Sequence, residues 1–468
     1  MRKHLRRFVE HPWAGLCTLL AVLLYLAVLV GRPTLGRAYE PLVSLLLLAL
    51  IGLGLRWFST RADWVIRLRT GWPDLLMCAL LLLALALRFM FAPAAAPAPG
   101  TDEAHFVEAA LRIIQTGEYI PTSLRYPSLL VYAELATCSL RFLTGASSNL
   151  WTWPSELSPE HLYGWGRGLV TLLGAATLLP VYWIGSRLYD RRAGLLAAFF
   201  LTLLPMHTAA AAIVTPEVPA ALLSVLATWF SLRLLEDGAP RWGLAAGVCA
   251  GLAKATHYPA ALVSLVPLLA ACLRTKHAGL PDASMDNPTG LTEDSLPTSG
   301  KAAPRWGLIL LTCTGALAGF VVACPAALLQ TDRLLAGLVE AARAYFPAEG
   351  GVDSGLGYLL WEGLGIGPAL LVALGAVLAL LRSRRQEAVL LLFPVVTYLA
   401  LLVPRARFAR DLVLLAPWLA LLAGAGLHRI CGWLETRWPD RTWIRRWLPW
   451  ILALLGGVAC LQGLGYLP

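Results

Sequence analysis

The sequence predicts an all-helical polytopic membrane protein with about 13 transmembrane helices and one large external loop that carries juxtamembrane helices. Hydrophobic residues make up 58% of the 468 positions and charged residues only 14%, whereas soluble domains carry about 45–50% and about 25%. The mean hydropathy is +0.67. Apolar runs recur along the whole chain, and about 20 such residues are enough for a helix to cross a bilayer.

The apolar runs divide the chain into four parts. Residues 1–71 hold two additional N-terminal helices, the first of them a retained signal anchor after a basic start. Residues 72–273 form a core module with the external loop 93–164, and residues 274–305 form a polar, disordered cytoplasmic loop. Residues 306–468 form the C-terminal helices, with external loops at 326–357 and 404–411. The predicted spans are 14–31, 41–57, 72–91, 165–188, 193–214, 218–235, 243–256, 259–273, 306–325, 358–381, 388–403, 412–427 and 448–467.

The distribution of Lys and Arg orients these spans. With a cytoplasmic N-terminus, the internal connectors after residue 160 carry 17 basic residues and the external ones carry 5, in line with the positive-inside rule. The net charge of +10 therefore reflects topology and not a nucleic-acid partner. If the apolar segment 127–143 crossed, this basic excess would face outward, so we predict that it lies at the outer face. We expect a multi-pass protein of the inner (plasma) membrane.

Two patterns inside the spans bear on packing and metals. Gly243, Gly247 and Gly251 recur at four-residue spacing, which predicts a close approach to a second helix. Most of the nine Cys residues lie in apolar stretches and form no CxxC pair. Neither a disulfide framework nor a zinc site is predicted, and no metal is assigned.

The acidic pair Asp102-Glu103 follows the third span and is the strongest candidate for chemistry. Ionisable groups near the faces of a membrane protein often have a function, and a positioned carboxylate can act as a general base on an acceptor hydroxyl. The alternative is helix capping, with Thr101 or Asp102 as the N-cap of a helix over 102–116. Its apolar residues, including Phe106 and Ile113, predict an interfacial helix.

Basic residues supply the second candidate. Pro404–Asp411 is the one dense basic cluster predicted outside, and its three arginines suit a phosphate ligand. The alternative is salt bridges to external acids such as Glu340, Glu349, Asp353 or Glu362. Lys254 is either a further phosphate counter-ion or a structural partner of Glu217. The candidate phosphate-binding residues are Arg405, Arg407, Arg410 and Lys254, and the residues expected to line the same site are His105, Arg125, Tyr126, Glu217, His257 and Tyr258.

Taken in order, these motifs resemble the integral-membrane C-type (GT-C) glycosyltransferases, closest to the dolichyl-phosphate-mannose protein mannosyltransferase and aminoarabinose transferase group. The likeness spans most of the chain after residue 72. It rests on these segments in order: Phe91-Ala92-Pro93, Asp102-Glu103-Ala104-His105-Phe106-Val107, Gly117-Glu118-Tyr119-Ile120-Pro121, Arg125-Tyr126-Pro127-Ser128-Leu129, Gly166-Arg167, Gly185-Ser186-Arg187-Leu188-Tyr189, Gly251 through Pro259, Arg407-Phe408-Ala409-Arg410-Asp411 and Leu414-Leu415-Ala416-Pro417-Trp418.

The resemblance implies inverting transfer of a sugar from a polyprenyl-phosphate donor to an acceptor hydroxyl on the extracytoplasmic face. Asp102 would be the base with Glu103 beside it, and Arg407 and Arg410, with Lys254, would hold the phosphate. The acceptor would be a lipid, a polysaccharide or a protein. Two other functions remain open: a transporter or flippase of a lipid-linked or anionic substrate, and a ligase that moves a preassembled glycan. Transporters tend to show internal repeats, and the sequence has no clear repeat.

Overall fold

The computed structural model describes residues 72–98, 100–274, 305–346, 363–382, 384–404 and 409–438. All regular structure within these ranges is helical. Seven helices there are long and apolar enough to cross a membrane, which confirms the all-helical, multi-pass class. The count of 13 spans stays a prediction, because the spans expected at 14–31, 41–57 and 448–467 and the polar segment 275–304 lie outside the described residues.

The described residues form sixteen α-helices and three 3-10 helices. The α-helices are α1 Trp72–Phe91, α2 Asp102–Thr116, α3 Leu129–Ser147, α4 Glu160–Ala176, α5 Leu178–Leu188, α6 Arg191–Leu203, α7 Pro205–Ala210, α8 Glu217–Asp237, α9 Pro240–Thr256, α10 Leu265–Leu273, α11 Arg305–Ala323, α12 Ala326–Leu329, α13 Thr331–Tyr345, α14 Ile366–Arg382, α15 Arg385–Leu402 and α16 Ala416–Arg437. The 3-10 helices are Pro154–Glu156, Tyr258–Ser264 and Ala409–Leu415.

Helix α2 has the predicted bounds, and local chemistry sets both of its ends. The hydroxyl of Thr101 accepts a hydrogen bond from the Ala104 amide at 3.4 Å, so Thr101 is the N-cap. At the other end Gly117 adopts φ +74° and donates its amide to Ile113 O, a conformation that costs glycine little. The apolar side expected at the membrane interface is instead buried in protein, where α2 packs on α3.

Two of the predicted spans are interrupted in the structure because proline cannot continue the backbone hydrogen-bond ladder. The run predicted at 193–214 divides into α6 and α7, since Pro205 starts a new helix after the extended residue Leu204. The run predicted at 165–188 begins earlier, at Glu160, and contains the α4–α5 junction just before Pro180. Both differences concern helix bounds and leave the fold class unchanged.

The glycine spacing predicts a close helix contact for α9, and the structure shows one. Helix α9 packs on α11, and a methyl group at Gly247 or Gly251 would collide with the carbonyl oxygens of Thr312 and Ala316. Helix α11 also has a glycine at this contact, Gly319, which packs against the backbone of Val248 on α9. Small residues let the two backbones meet, as in many membrane helix pairs.

Helix α8 lies at the centre of the described bundle. It contacts α4, α5, α9, α10 and α15, and most of its residues are buried. Its first residue, Glu217, stands beside the 3-10 helix Ala409–Leu415 and the C-terminal end of α9. Three distant parts of the chain therefore meet at one end of α8. Helix α3 is itself long enough to cross, and its placement at the outer face stays a prediction.

Candidate active site

Asp102 and Arg410, predicted from distant parts of the sequence, form an ion pair in the structure. Asp102 starts α2, whereas Arg410 lies in the 3-10 helix Ala409–Leu415. Tyr126 joins them: its hydroxyl donates to Asp102 Oδ1 at 2.9 Å and accepts from Arg410 Nη2 at 3.0 Å. The Asp102 and Arg410 side chains remain 23% and 34% exposed. We refer to these three residues as the Asp102 cluster.

A buried acidic group lies directly behind the Asp102 cluster. One ligand-type atom each from Glu217, His257 and Asp411 lies within 4.8 Å of the others. His257 Nε2 is 3.2 Å from Asp411 Oδ1, and the Tyr345 hydroxyl donates to Asp411 Oδ2 at 2.9 Å. Arg410 Nε approaches Glu217 Oε1 at 3.7 Å. This ion pair connects the buried group to the Asp102 cluster.

The charge on His257 follows from these neighbours. Burial opposes its protonation, but the hydrogen bond with Asp411 and the negative charge of Glu217 and Asp411 outweigh burial and raise its pKa. Carboxylates and imidazole are ordinary ligands for divalent metals, so these three residues have suitable donor atoms. In the structure, however, His257 and Arg410 already supply positive charge to both carboxylates. Two protein cations thus face these two carboxylates, and Arg410 is shared with Asp102.

Glu103, the second predicted acid, has different partners from Asp102. Arg167 on α4 binds it through two hydrogen bonds, Nε to Oε1 at 2.7 Å and Nη2 to Oε2 at 2.8 Å. The Val214 amide adds a third at 3.1 Å. Both side chains are buried, with 3% of Arg167 and 7% of Glu103 exposed. Arg167 Nη1 also donates to the carbonyls of Pro93 and Ala95, so this ion pair ties the start of the external loop to α4.

Three further predicted residues surround Tyr126 and the loop that carries it. The His105 ring lies 5.8 Å from the Tyr126 ring, and the Arg125 guanidinium carbon lies 5.8 Å from the Tyr126 ring centre. Burial and the nearby Arg125 charge lower the pKa of His105. The Tyr258 hydroxyl donates to Leu124 O at 2.8 Å. His105, Arg125 and Tyr258 thus support or flank the Asp102 cluster.

Lys254 and two of the predicted arginines are placed differently. The Lys254 ammonium lies 4.2 Å from the centre of the Phe320 ring, and no ion pair within the described residues joins it to Glu217. The cation that lies beside Glu217 is Arg410, and not Lys254 as the sequence allowed. Arg405 and Arg407 lie outside the described residues, and their assignment to a phosphate stays a prediction.

The sequence did not assign roles to Arg167 and Tyr345, which the structure connects to the predicted acids. An Arg within an apolar span was a usable signal for Arg167, because a buried guanidinium requires a partner. No comparable signal marked Tyr345 at the end of α13, since its hydroxyl reaches Asp411 only through the folded chain. Asp411, the last residue of the predicted basic cluster, pairs with His257.

The chemistry available at the Asp102 cluster is proton transfer beside a cationic group. A carboxylate that is partly open to solvent can accept a proton from a hydroxyl group within hydrogen-bond reach. A guanidinium next to it can bind a phosphate oxygen pair. The combination suits displacement of a phosphate-bearing leaving group by a hydroxyl.

Comparison with known proteins shows which family model and which solved structures this chain resembles. Residues 166–280 match the family model described as dolichyl-phosphate-mannose-protein mannosyltransferase. The structure aligns with ArnT from Cupriavidus metallidurans at a TM-score of 0.54 and 16% identity, over 84% of this chain and 77% of ArnT. The chain has the C-type glycosyltransferase fold. The resemblance predicted from the sequence is confirmed.

A second solved structure shares the fold over less of its own length. The oligosaccharyltransferase AglB from Archaeoglobus fulgidus, solved with an inhibitory peptide and a dolichol-phosphate, aligns at a TM-score of 0.53 and 14% identity. The alignment covers 84% of this chain but 55% of AglB. Comparison with curated protein sequences gives no match. The family match covers part of the chain, and ArnT and AglB share its fold.

Proposed function

We propose that this protein transfers a sugar from a polyprenyl-phosphate donor to an acceptor hydroxyl, with Asp102 as general base. The observation that carries the proposal is the contact between the Asp102 carboxylate and the Arg410 guanidinium at a partly exposed position. Asp102 takes the hydroxyl proton as the acceptor oxygen attacks the anomeric carbon. The bond from that carbon to the phosphate oxygen breaks, and polyprenyl phosphate leaves. Attack opposite the leaving group inverts the anomeric centre.

Two lines of support favour a lipid phosphate as the donor. Arg410 supplies a guanidinium that matches a phosphate geometrically, and Arg405 and Arg407 follow the same pattern in the sequence. ArnT, which shares the fold, has been solved with undecaprenyl phosphate, and AglB with a dolichol-phosphate. The basic residues of the predicted connectors favour an extracytoplasmic site in the inner membrane.

In this proposal Asp102 and Glu103 have separate roles. The two oxygens of Glu103 are taken by Arg167 and by the Val214 amide, so Glu103 has little capacity left to accept a substrate proton. Its contribution is to position the loop that presents Asp102. The predicted catalytic pair then becomes one base and one positioning residue.

The test is sugar transfer by the purified full-length protein in nanodiscs, with radiolabelled polyprenyl-phosphate sugars and acceptor extracts. Asp102→Asn should reduce transfer by about 10²–10⁴-fold, the usual contribution of general-base catalysis. Glu108→Gln is the matched control, because Glu108 lies exposed on the same helix and should leave the rate unchanged. Equal rates for wild type and Asp102→Asn would refute the assignment of the base. Uptake of intact lipid-linked sugar without transfer would favour a flippase.

A further inference from the structure

We propose that Arg410 keeps the base Asp102 occupied until the donor phosphate binds, so that the donor must bind before the acceptor can react. This inference rests on the proposed function and adds an order of events to it. Its basis is that the same guanidinium that suits the phosphate is paired in the structure with the carboxylate that must accept the proton.

Both oxygens of Asp102 are engaged. Arg410 Nη1 pairs with Oδ2, and the Tyr126 hydroxyl donates to Oδ1. An acceptor hydroxyl has to approach a base oxygen to about 2.6–3.2 Å to transfer its proton. A neighbouring positive charge also favours the ionised form of a carboxylate and so weakens it as a base. The observed arrangement therefore suppresses general-base catalysis by Asp102.

The surroundings of Arg410 allow its guanidinium to change partners. The side chain is 34% exposed, so an incoming phosphate can reach it from the open side. Behind it, Glu217 is 1% exposed and neither of its oxygens has a hydrogen-bond partner in the described part of the chain. Glu217 therefore remains available as a buried counter-charge after Arg410 leaves Asp102. The phosphodiester of the donor shares one negative charge over two oxygens and so offers the guanidinium a bidentate partner, whereas Asp102 presents only one oxygen to it.

Tyr126 connects the two states. Its hydroxyl accepts from Arg410 while donating to Asp102, and its ring packs near His257 with 6.3 Å between ring centres. When Arg410 turns to the phosphate, the hydroxyl can still donate to Oδ1 and hold the carboxylate in place. Oδ2 is then free to receive the acceptor hydroxyl. The base becomes available only where a leaving group is already bound.

The experiment measures how fast Asp102 is modified by a water-soluble carbodiimide with an amine nucleophile, read by peptide mass spectrometry. Carbodiimides react with the protonated carboxyl group, so a carboxylate paired with a guanidinium reacts slowly. Wild-type protein is treated at pH 6 with and without undecaprenyl phosphate. We expect the lipid to raise the Asp102 labelling rate about tenfold, because the carboxylate is then no longer paired with a guanidinium. Arg410→Gln should show the same fast rate without lipid.

Two carboxyl groups provide internal controls in the same samples. Glu103 should stay slow in both states, because Arg167 is not part of the proposed phosphate site. Exposed Glu108 should react at one constant rate and normalise the data. Fast labelling of Glu103 with lipid would point to general loosening of the loop and would overturn the proposal.

A separate binding measurement with undecaprenyl phosphate distinguishes this inference from the proposed function. If the lipid does not bind, the donor assignment in the proposed function fails. If it binds and Asp102 labelling is unchanged or slower, Arg410 has stayed on Asp102 and the ordered mechanism is refuted, while the proposed transfer stands. The wild-type comparison decides the matter even if Arg410→Gln does not fold.

Discussion

Replacing Glu103 with Gln tests whether the buried Glu103–Arg167 ion pair is structural. The pair is nearly inaccessible to solvent, and Arg167 makes two hydrogen bonds to the carboxylate. Gln retains one acceptor oxygen but leaves the guanidinium without its counter-charge. Removing one partner of a buried pair costs about 3–5 kcal/mol, and we expect the lower end because Arg167 keeps its bonds to Pro93 and Ala95.

The assay is the melting temperature of the purified protein, followed by tryptophan fluorescence, beside transfer activity per folded molecule. A loss of about 3 kcal/mol should lower Tm by roughly 3–6 °C, since the shift per kcal/mol falls with chain length. The double variant Glu103→Leu/Arg167→Met should recover only part of the lost stability, because it removes the unpaired charge but leaves the Pro93 and Ala95 carbonyls and the Val214 amide without these partners. Glu108→Gln should not shift Tm.

One pattern of results would refute this reasoning. If Glu103→Gln abolished transfer to the level of Asp102→Asn while leaving Tm unchanged, Glu103 would be catalytic and not structural. That result would return Glu103 to the base position that the sequence allowed.

Three other predictions follow from the same contacts. Gly247→Val should destabilise the protein by about 1–3 kcal/mol, seen as a lower Tm, because the added methyls meet the α11 backbone; an unchanged Tm would contradict that packing. Because the folded-state pKa of His257 is raised, its stabilising charge is present at low pH and lost as pH rises. Tm should therefore fall between pH 6 and 9 more in wild type than in His257→Gln, and parallel curves would refute this. Transfer should persist in EDTA, since His257 pairs with Asp411 and Arg410 lies beside Glu217; loss of activity restored by a divalent ion would show a metal requirement.

Local patterns predicted α2 and the α9–α11 pair well. The bounds of α2 depend on a cap at Thr101 and on glycine at its end, both adjacent to the helix. The glycine spacing of α9 likewise records a packing surface within one helix, although the partner α11 could not be named from it. An apolar run alone does not show where a helix ends inside it. Proline does, as at Pro205, where a new helix begins within the predicted span 193–214.

The partners of the charged residues could not be predicted in the same way. From the sequence, Arg410 has several external acids as possible partners, and Glu217 has Lys254. Hydropathy gives no reason to prefer one of these pairings over another. The folded chain pairs Arg410 with Asp102 and Glu217. These pairings depend on where α2, α8 and the 3-10 helix Ala409–Leu415 end relative to one another.

By itself the sequence determined the membrane class, the helical architecture, the family resemblance and the residue types at the site. These properties follow from composition, periodicity and short motifs, which act over one helix or one loop. Only the tertiary structure decided that Asp102 faces Arg410 while its neighbour Glu103 faces Arg167. Adjacent residues on a helix point in different directions, so two acids side by side in sequence meet different partners once the helices pack.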